Sequence, residues 1–293
     1  MQAQQLIDWA DAGNEFVGFL ASFFAIGAIG FRFVVLRHSL LEHTEFHRAA
    51  SVRAATIGLL GTIVTAIYAA IALPHSAERA HQALGAFLAG NNVALAEVIA
   101  LGCAILGFLL VMGRVRAGWW LAGAGVIVVT LRNAFGNDWL RLINPMHRLA
   151  GGLWIGTLFV LVMAGLVPIL AAPMPPEQRG TIAADMVNSF SPFALGSAFG
   201  LVMFGVWTAW RHLKRPQALW TTPYGYALIG KLFLVMMVFA LGAWNWRRQR
   251  PMLGSEDAAH AIRRSARWEL TIALLVLMVT GILVSLPTPK LPH

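Results

Sequence analysis

The sequence predicts an all-α polytopic integral membrane bundle with about eight transmembrane helices, and three observations carry that prediction. Of 293 residues, 58% are hydrophobic and only 12% are charged, where a soluble domain carries about 25% charge. Mean hydropathy is +0.68. Stretches with little or no charge recur along the whole chain, at or near the roughly 20 apolar residues that cross a bilayer. Period-two alternation, the mark of an outer-membrane barrel, is absent. These features exclude disordered, collagen-like and disulfide-scaffold classes and argue against a soluble enzyme. The net charge of +9 would suggest nucleic acid on a soluble domain. Here the basic residues lie between apolar runs, where they set topology, so the partner expected is the lipid bilayer and no nucleic acid. Cys103 is the single cysteine, so no intrachain disulfide can form.

The first fifteen residues carry Asp8, Asp11 and Glu15 and no Lys or Arg. A secretory signal begins with a basic region, so the first helix is expected to be retained. Spans are predicted near 16–36, 52–73, 93–112, 117–133, 147–170, 190–210, 224–246 and 268–286. The first passes Arg32, the third takes in Glu97 and the seventh takes in Lys231. The fourth is short for a bilayer.

Orientation follows from the placement of Lys and Arg. One side collects Arg37, Arg48, Arg53, Arg114, Arg116, Arg179, Arg247, Arg248, Arg250, Arg263, Arg264 and Arg267, and the other Arg79, Arg132, Arg141, Arg148, Arg211, Lys214, Arg215 and Lys290. This bias, with the acidic start, predicts both termini on the outer face; the cluster 211–215 runs against it. The chain reads as one polytopic membrane domain over 1–293. It divides as helices 1–4 (about 1–140) and helices 5–8 (about 141–293), possible tandem four-helix units of like orientation.

Ionisable groups inside spans are costly, about 2.5–3.5 kcal/mol at a helix centre, and each is a candidate for function. Glu97 and Lys231 both fall within about two turns of an outer helix end. Either Lys231 snorkels to the interface, or the two residues face inward and bound one polar cavity. Asn245, Glu269 and Arg32, near inner ends, read as terminal ion pairs or anchors. His43 and His47 are four apart, which on a helix places two imidazoles on one face, a metal-ligand spacing; solvated loop histidines are the alternative. His147 opens helix 5 beside Met146, and imidazole with thioether suits Cu(I). Gly151, Gly152 and Gly156 allow a neighbouring helix to approach, and Trp154 lies two turns on from His147. A packing histidine explains this run equally well. Because adjacent positions point about 100° apart, His147 and Met146 need a third ligand. His75 and His81, expected in the loop before helix 3, are the candidates, with Glu97 orienting an imidazole. No Walker loop, dinucleotide fingerprint, Gly-x-Ser-x-Gly elbow or CxxC pair occurs.

Three stretches carry a resemblance. Thr222-Pro223-Tyr224-Gly225 with Leu228 and Lys231, then Ala243-Trp244-Asn245-Trp246-Arg247-Arg248, resembles a helix of the copper resistance protein D (CopD) family. Arg263-Arg264-Ser265, Glu269-Leu270, Val276, Leu283 and Pro287 are similar to that family's ending, and Met146-His147 with Trp154-Ile155-Gly156 to its His–Trp–Gly helix. The resemblance covers roughly 145–287, with its CopD-like core about 190–287. It implies a multi-pass protein of the bacterial inner membrane that carries or binds copper between periplasm and cytoplasm, and no enzyme. A periplasmic copper-binding protein is the expected delivering partner. Copper would enter past Met146 and His147, follow a path bordered by Glu97, Trp154, Lys231 and Asn245, and leave near His43 and His47. A haem-binding membrane oxidoreductase and a metal-free assembly scaffold are the alternatives. Haem ligation by facing histidines is short of supply, because the spans hold almost no mid-membrane histidine.

Overall fold

A computed structural model describes residues 7–37, 45–134, 139–213, 215–248 and 256–286. The described residues form an all-helical bundle, with seven helices long and apolar enough to cross a membrane and an eighth, shorter one. The helices are α1 (Trp9–Val35), α2 (Glu45–Arg79), α3 (Asn92–Met112), α4 (Gly118–Leu131), α5 (Leu140–Leu170), α6 (Pro176–Leu213), α7 (Pro223–Arg248) and α8 (Glu256–Ser285). In lipid no water is available to the backbone, so each span must satisfy its own N–H and C=O groups, and the helix does so.

Local chemistry sets the ends. The Asp8 carboxylate accepts from the N–H groups of Ala10 and Asp11, both at 3.0 Å, and caps α1. Asn91 does the same for α3 through Val93 and Ala94. Two helices outrun their apolar stretches. α2 has 35 residues, about 52 Å at 1.5 Å per residue. It takes in both the stretch 45–53 expected as loop and His75, also expected in a loop. α6 has 38 residues and opens on Pro176, a favoured first helical position, so it absorbs most of the loop expected over 171–188. α4 has only 14 residues and continues into a 3₁₀ turn, Arg132–Ala134.

The centre of the bundle is α1 against α5. The apolar window of α5 is 67% buried and that of α1 is 44% buried, against 11% for α6 and for α7. Contact between α1 and α5 is backbone on backbone. A Cβ on Gly27 would lie 2.2 Å from the Gly156 carbonyl carbon, and one on Gly156 would lie 2.2 Å from the Phe23 carbonyl oxygen. Only glycine permits that approach, as the sequence reading of the 151–156 glycines expects. α5 also carries two π-helical stretches, Gly152–Gly156 and Leu161–Leu166. π turns displace backbone carbonyls from the regular ladder. Within the second, the Ala164 carbonyl accepts from Arg53 Nε of α2 at 3.2 Å. α2, α3 and α4 pack on one side of this centre; α6 lies along α5, and α7 packs on α8, which returns to α1.

Candidate functional site

His147 lies near the start of α5, facing α6. Its Nδ1 is 3.0 Å from the Leu201 carbonyl oxygen. A carbonyl only accepts, so Nδ1 carries the proton, and in the neutral ring Nε2 holds the lone pair. The ring fits a slot cut by Gly205, where a Cβ would come within 2.9 Å of His147 Cε1. One helical turn separates Leu201 from Gly205, so one face of α6 supplies both the acceptor and the space. Thr208 Oγ1 donating to Asn144 Oδ1 at 3.0 Å fastens the same helix pair. Lys231 of α7 lies within electrostatic reach of the imidazole. Met146, half-buried, sits on the adjoining position.

Two turns further along α5, Trp154 is buried in the first π stretch and packs against Phe239 of α7, ring centroids 4.9 Å apart and tilted 37°. Beyond them, α7 and α8 share a polar cluster. Asn245 Nδ2 donates to Glu269 Oε1, and Ser265 Oγ donates to Asn245 Oδ1. Glu269 is 7% exposed, the buried carboxylate of this region. From Lys231 to Asn245 is fourteen residues, about 21 Å along the helix. The order across the membrane is therefore imidazole and ammonium, an aromatic pair, then amide and carboxylate.

Glu97 is elsewhere. It forms an ion pair with Arg132 of the turn after α4 at 3.0 Å. Both line a cavity of about 430 Å³ among α1, α2, α3, α4 and the start of α5. Lys231 is not among the residues that line it, and the ion-pair partner of Glu97 is Arg132. The two residues are on helices with different neighbours: α3 packs on α2 and α4, whereas α7 packs on α8.

The remaining candidate ligands are scattered. His75 is in the last turns of α2, exposed and 3.5 Å from Glu78. His81 follows that helix with φ 55°, in the left-handed region. His47 is in the first turn of α2 with Nε2 3.2 Å from the Leu36 carbonyl oxygen. His43 lies outside the described residues. Among the described residues no three His, Cys, Asp or Glu side chains converge on one point. Sequence reasoning missed Leu201, Gly205, Phe239 and Ser265 as parts of the site. Of these only Ser265, inside the quoted Arg-Arg-Ser run, carried a signal.

Comparison with known proteins falls on this same part of the chain. Residues 184–283 match the family model Copper resistance protein D. Over that stretch the chain is CopD-like, as the motifs imply. Most of α6, all of α7 and most of α8 fall in the matched region; His147 and Trp154 of α5 lie before it and pack onto it. Copper transport protein CutJ of Bacillus subtilis (strain 168) is 28% identical over 152 residues, 52% of this chain and 26% of that protein. The match thus spans about a quarter of that relative's length. No solved structure matches.

Proposed function

We propose that this chain is a copper transport or copper resistance protein whose copper-handling element is α5–α8, with copper as cargo. The observation that carries the reading is His147: the Leu201 carbonyl fixes its tautomer and leaves the Nε2 lone pair for a metal, as an outer hydrogen bond does for a ligating imidazole. The CopD match and the name of the relative support copper as the ion. Met146, next to His147, supplies the thioether that favours Cu(I). The Trp154–Phe239 pair would act as the barrier between the His147 end and the Asn245–Ser265–Glu269 cluster, where oxygen ligands would receive the ion. Glu97 is not on this route.

The test is copper stoichiometry and affinity of detergent-purified His147→Ala, normalised to folded protein. Loss of binding per folded molecule is expected. Unchanged binding would make His147 a packing residue and move the ligand assignment to His43 and His47. We further propose that the His147 end faces the periplasm and that both termini lie there, in the bacterial inner membrane. In a Cys103→Ser background, Gly254→Cys should then resist an impermeant thiol reagent applied to whole cells with a permeabilised outer membrane. Ready labelling would invert the orientation.

A further inference from the structure

The cavity among α1–α5 lies outside the CopD-matched stretch and outside the copper route, and its lining is of a different kind. No His, Met or Cys lines it; instead two guanidiniums (Arg132, Arg148) and two carboxylates (Glu15, Glu97) do. Glu97 and Arg132 satisfy each other. Arg148 is held in place without a carboxylate, its Nε donating to Ser22 Oγ at 3.1 Å and its guanidinium 4.6 Å over the Phe19 ring. Its two terminal nitrogens make no hydrogen bond within the protein among the described residues, and Gly18 leaves the space beside Nη2 free of side chain. A guanidinium inside a membrane bundle with its planar fork unused matches a carboxylate or phosphate oxygen pair. Glu15 lies within electrostatic reach of Arg148 but does not close to an ion pair with it.

The hydroxyls supply the opposite polarity. Thr62, Thr65 and Thr130 each donate their single O–H to the carbonyl four residues back, at 2.8, 3.0 and 2.7 Å. Their oxygens are left as acceptors only. The cavity thus pairs an unused cationic fork with a carboxylate and a set of acceptors, and its formal charges cancel. A dianion would meet two carboxylates, and a bare metal ion would meet two guanidiniums. A neutral molecule with separated charges meets neither.

We propose that this cavity binds a small zwitterion, its anionic oxygens on the Arg148 fork and its ammonium group toward Glu15 and the threonine oxygens. A free α-amino acid and the headgroup of an ethanolamine lipid share that chemistry. The proposal stands independently of the copper reading, because its probes contain no metal.

The experiment is thermal unfolding of the full detergent-solubilised chain with L-alanine, against acetate and methylammonium, together with retention of phosphatidylethanolamine over phosphatidylglycerol in mixed-lipid nanodiscs. At saturation, a bound zwitterion should raise the unfolding temperature by about 5 °C. Arg148→Gln should abolish the response. Glu15→Gln should fold and lose the preference for L-alanine over L-lactate. An L-alanine response places the source in solution; selective ethanolamine-lipid retention, lost in Arg148→Gln, places it in the bilayer. The proposal is overturned if neither probe binds, if acetate alone matches L-alanine, or if Arg148→Gln responds as wild type. Should Arg148→Gln fail to fold, an unchanged ligand preference in Glu15→Gln overturns it alone.

Discussion

His147 and Arg148 are neighbours in the chain and belong to two different environments. His147 turns toward α6, where it hydrogen-bonds a backbone carbonyl and a glycine makes its slot. Arg148 turns the other way, into a cavity of carboxylates, guanidiniums and hydroxyls among α1–α4. Successive helical positions differ by about 100°, so one buried helix serves two sites of unlike chemistry. Toward α6–α8 lie the His147 imidazole of α5 and, beyond an aromatic pair, the buried amide–carboxylate cluster of α7 and α8. The α1–α4 side presents fixed charges. The packing differs in parallel: α1 and α5 meet backbone to backbone, whereas large apolar side chains of α6 and α7, such as Leu195, Phe199, Phe233 and Met236, face outward at 66–71% exposure. A chain can thus place its better-packed core and its family-matched helices in different parts of the bundle.

The sharpest way to break this contrast is with paired glycine substitutions. Gly156→Ala puts a methyl group into the Phe23 carbonyl and should cost about 3 kcal/mol by overpacking. Gly230→Ala on α7, where nothing lies within 4 Å, should instead gain up to about 1 kcal/mol of helix propensity. Comparable losses in reversible detergent unfolding would refute the central role of α1 and α5. Next in size, His147→Ala should weaken copper binding about 100-fold, the upper end of what disturbing even an outer partner of a metal ligand does, while Glu97→Gln leaves copper affinity intact. Copper titration of the two variants side by side reads the separation of the sites, and equal losses would merge them. Glu97→Gln itself should lower stability by about 1–3 kcal/mol, since it strands Arg132 in a half-buried place. Adding Arg132→Leu should recover most of that loss, and a double mutant no more stable than the single would show the ion pair to be irrelevant. The smallest effect belongs to Phe199→Ala on the outward face of α6, expected within about 0.5 kcal/mol. A loss of several kcal/mol there would mean that protein, not lipid, covers that face.

The predicted spans and the observed helices correspond one to one, because hydropathy measures what a helix in lipid must have. It measures membrane depth rather than helicity, so it missed the polar extensions. The segment 176–189, with Glu177, Arg179 and Asp185, reads as a loop by hydropathy yet forms the first turns of α6. His75 reads as loop for the same reason, yet lies within α2. Within the site, His147, Trp154, Lys231 and Asn245 were visible as polar or bulky residues at telling depths. The glycines of α5 were visible as a packing surface. What was not visible was partnership: nothing in Leu201 marks its carbonyl as an acceptor, and nothing in Glu97 says that Arg132, rather than Lys231, is its counterion.

The sequence by itself determined that the chain is helical, where its long apolar helices fall, and that its last third is CopD-like. Those properties follow from composition and order along one helix, because a backbone in hydrocarbon has no alternative to satisfying itself. Only the tertiary structure decided which polar groups meet. Lipid and protein interior are equally apolar, so hydrophobicity does not select neighbours in the membrane; close fit and hydrogen bonds do. Gly27 on Gly156 sets α1 against α5, Gly205 under His147 sets α6 against α5, and the Asn245–Glu269 contact sets α7 against α8. These contacts separate Glu97 from Lys231 and give His147 and Arg148 different neighbours on two sides of one helix.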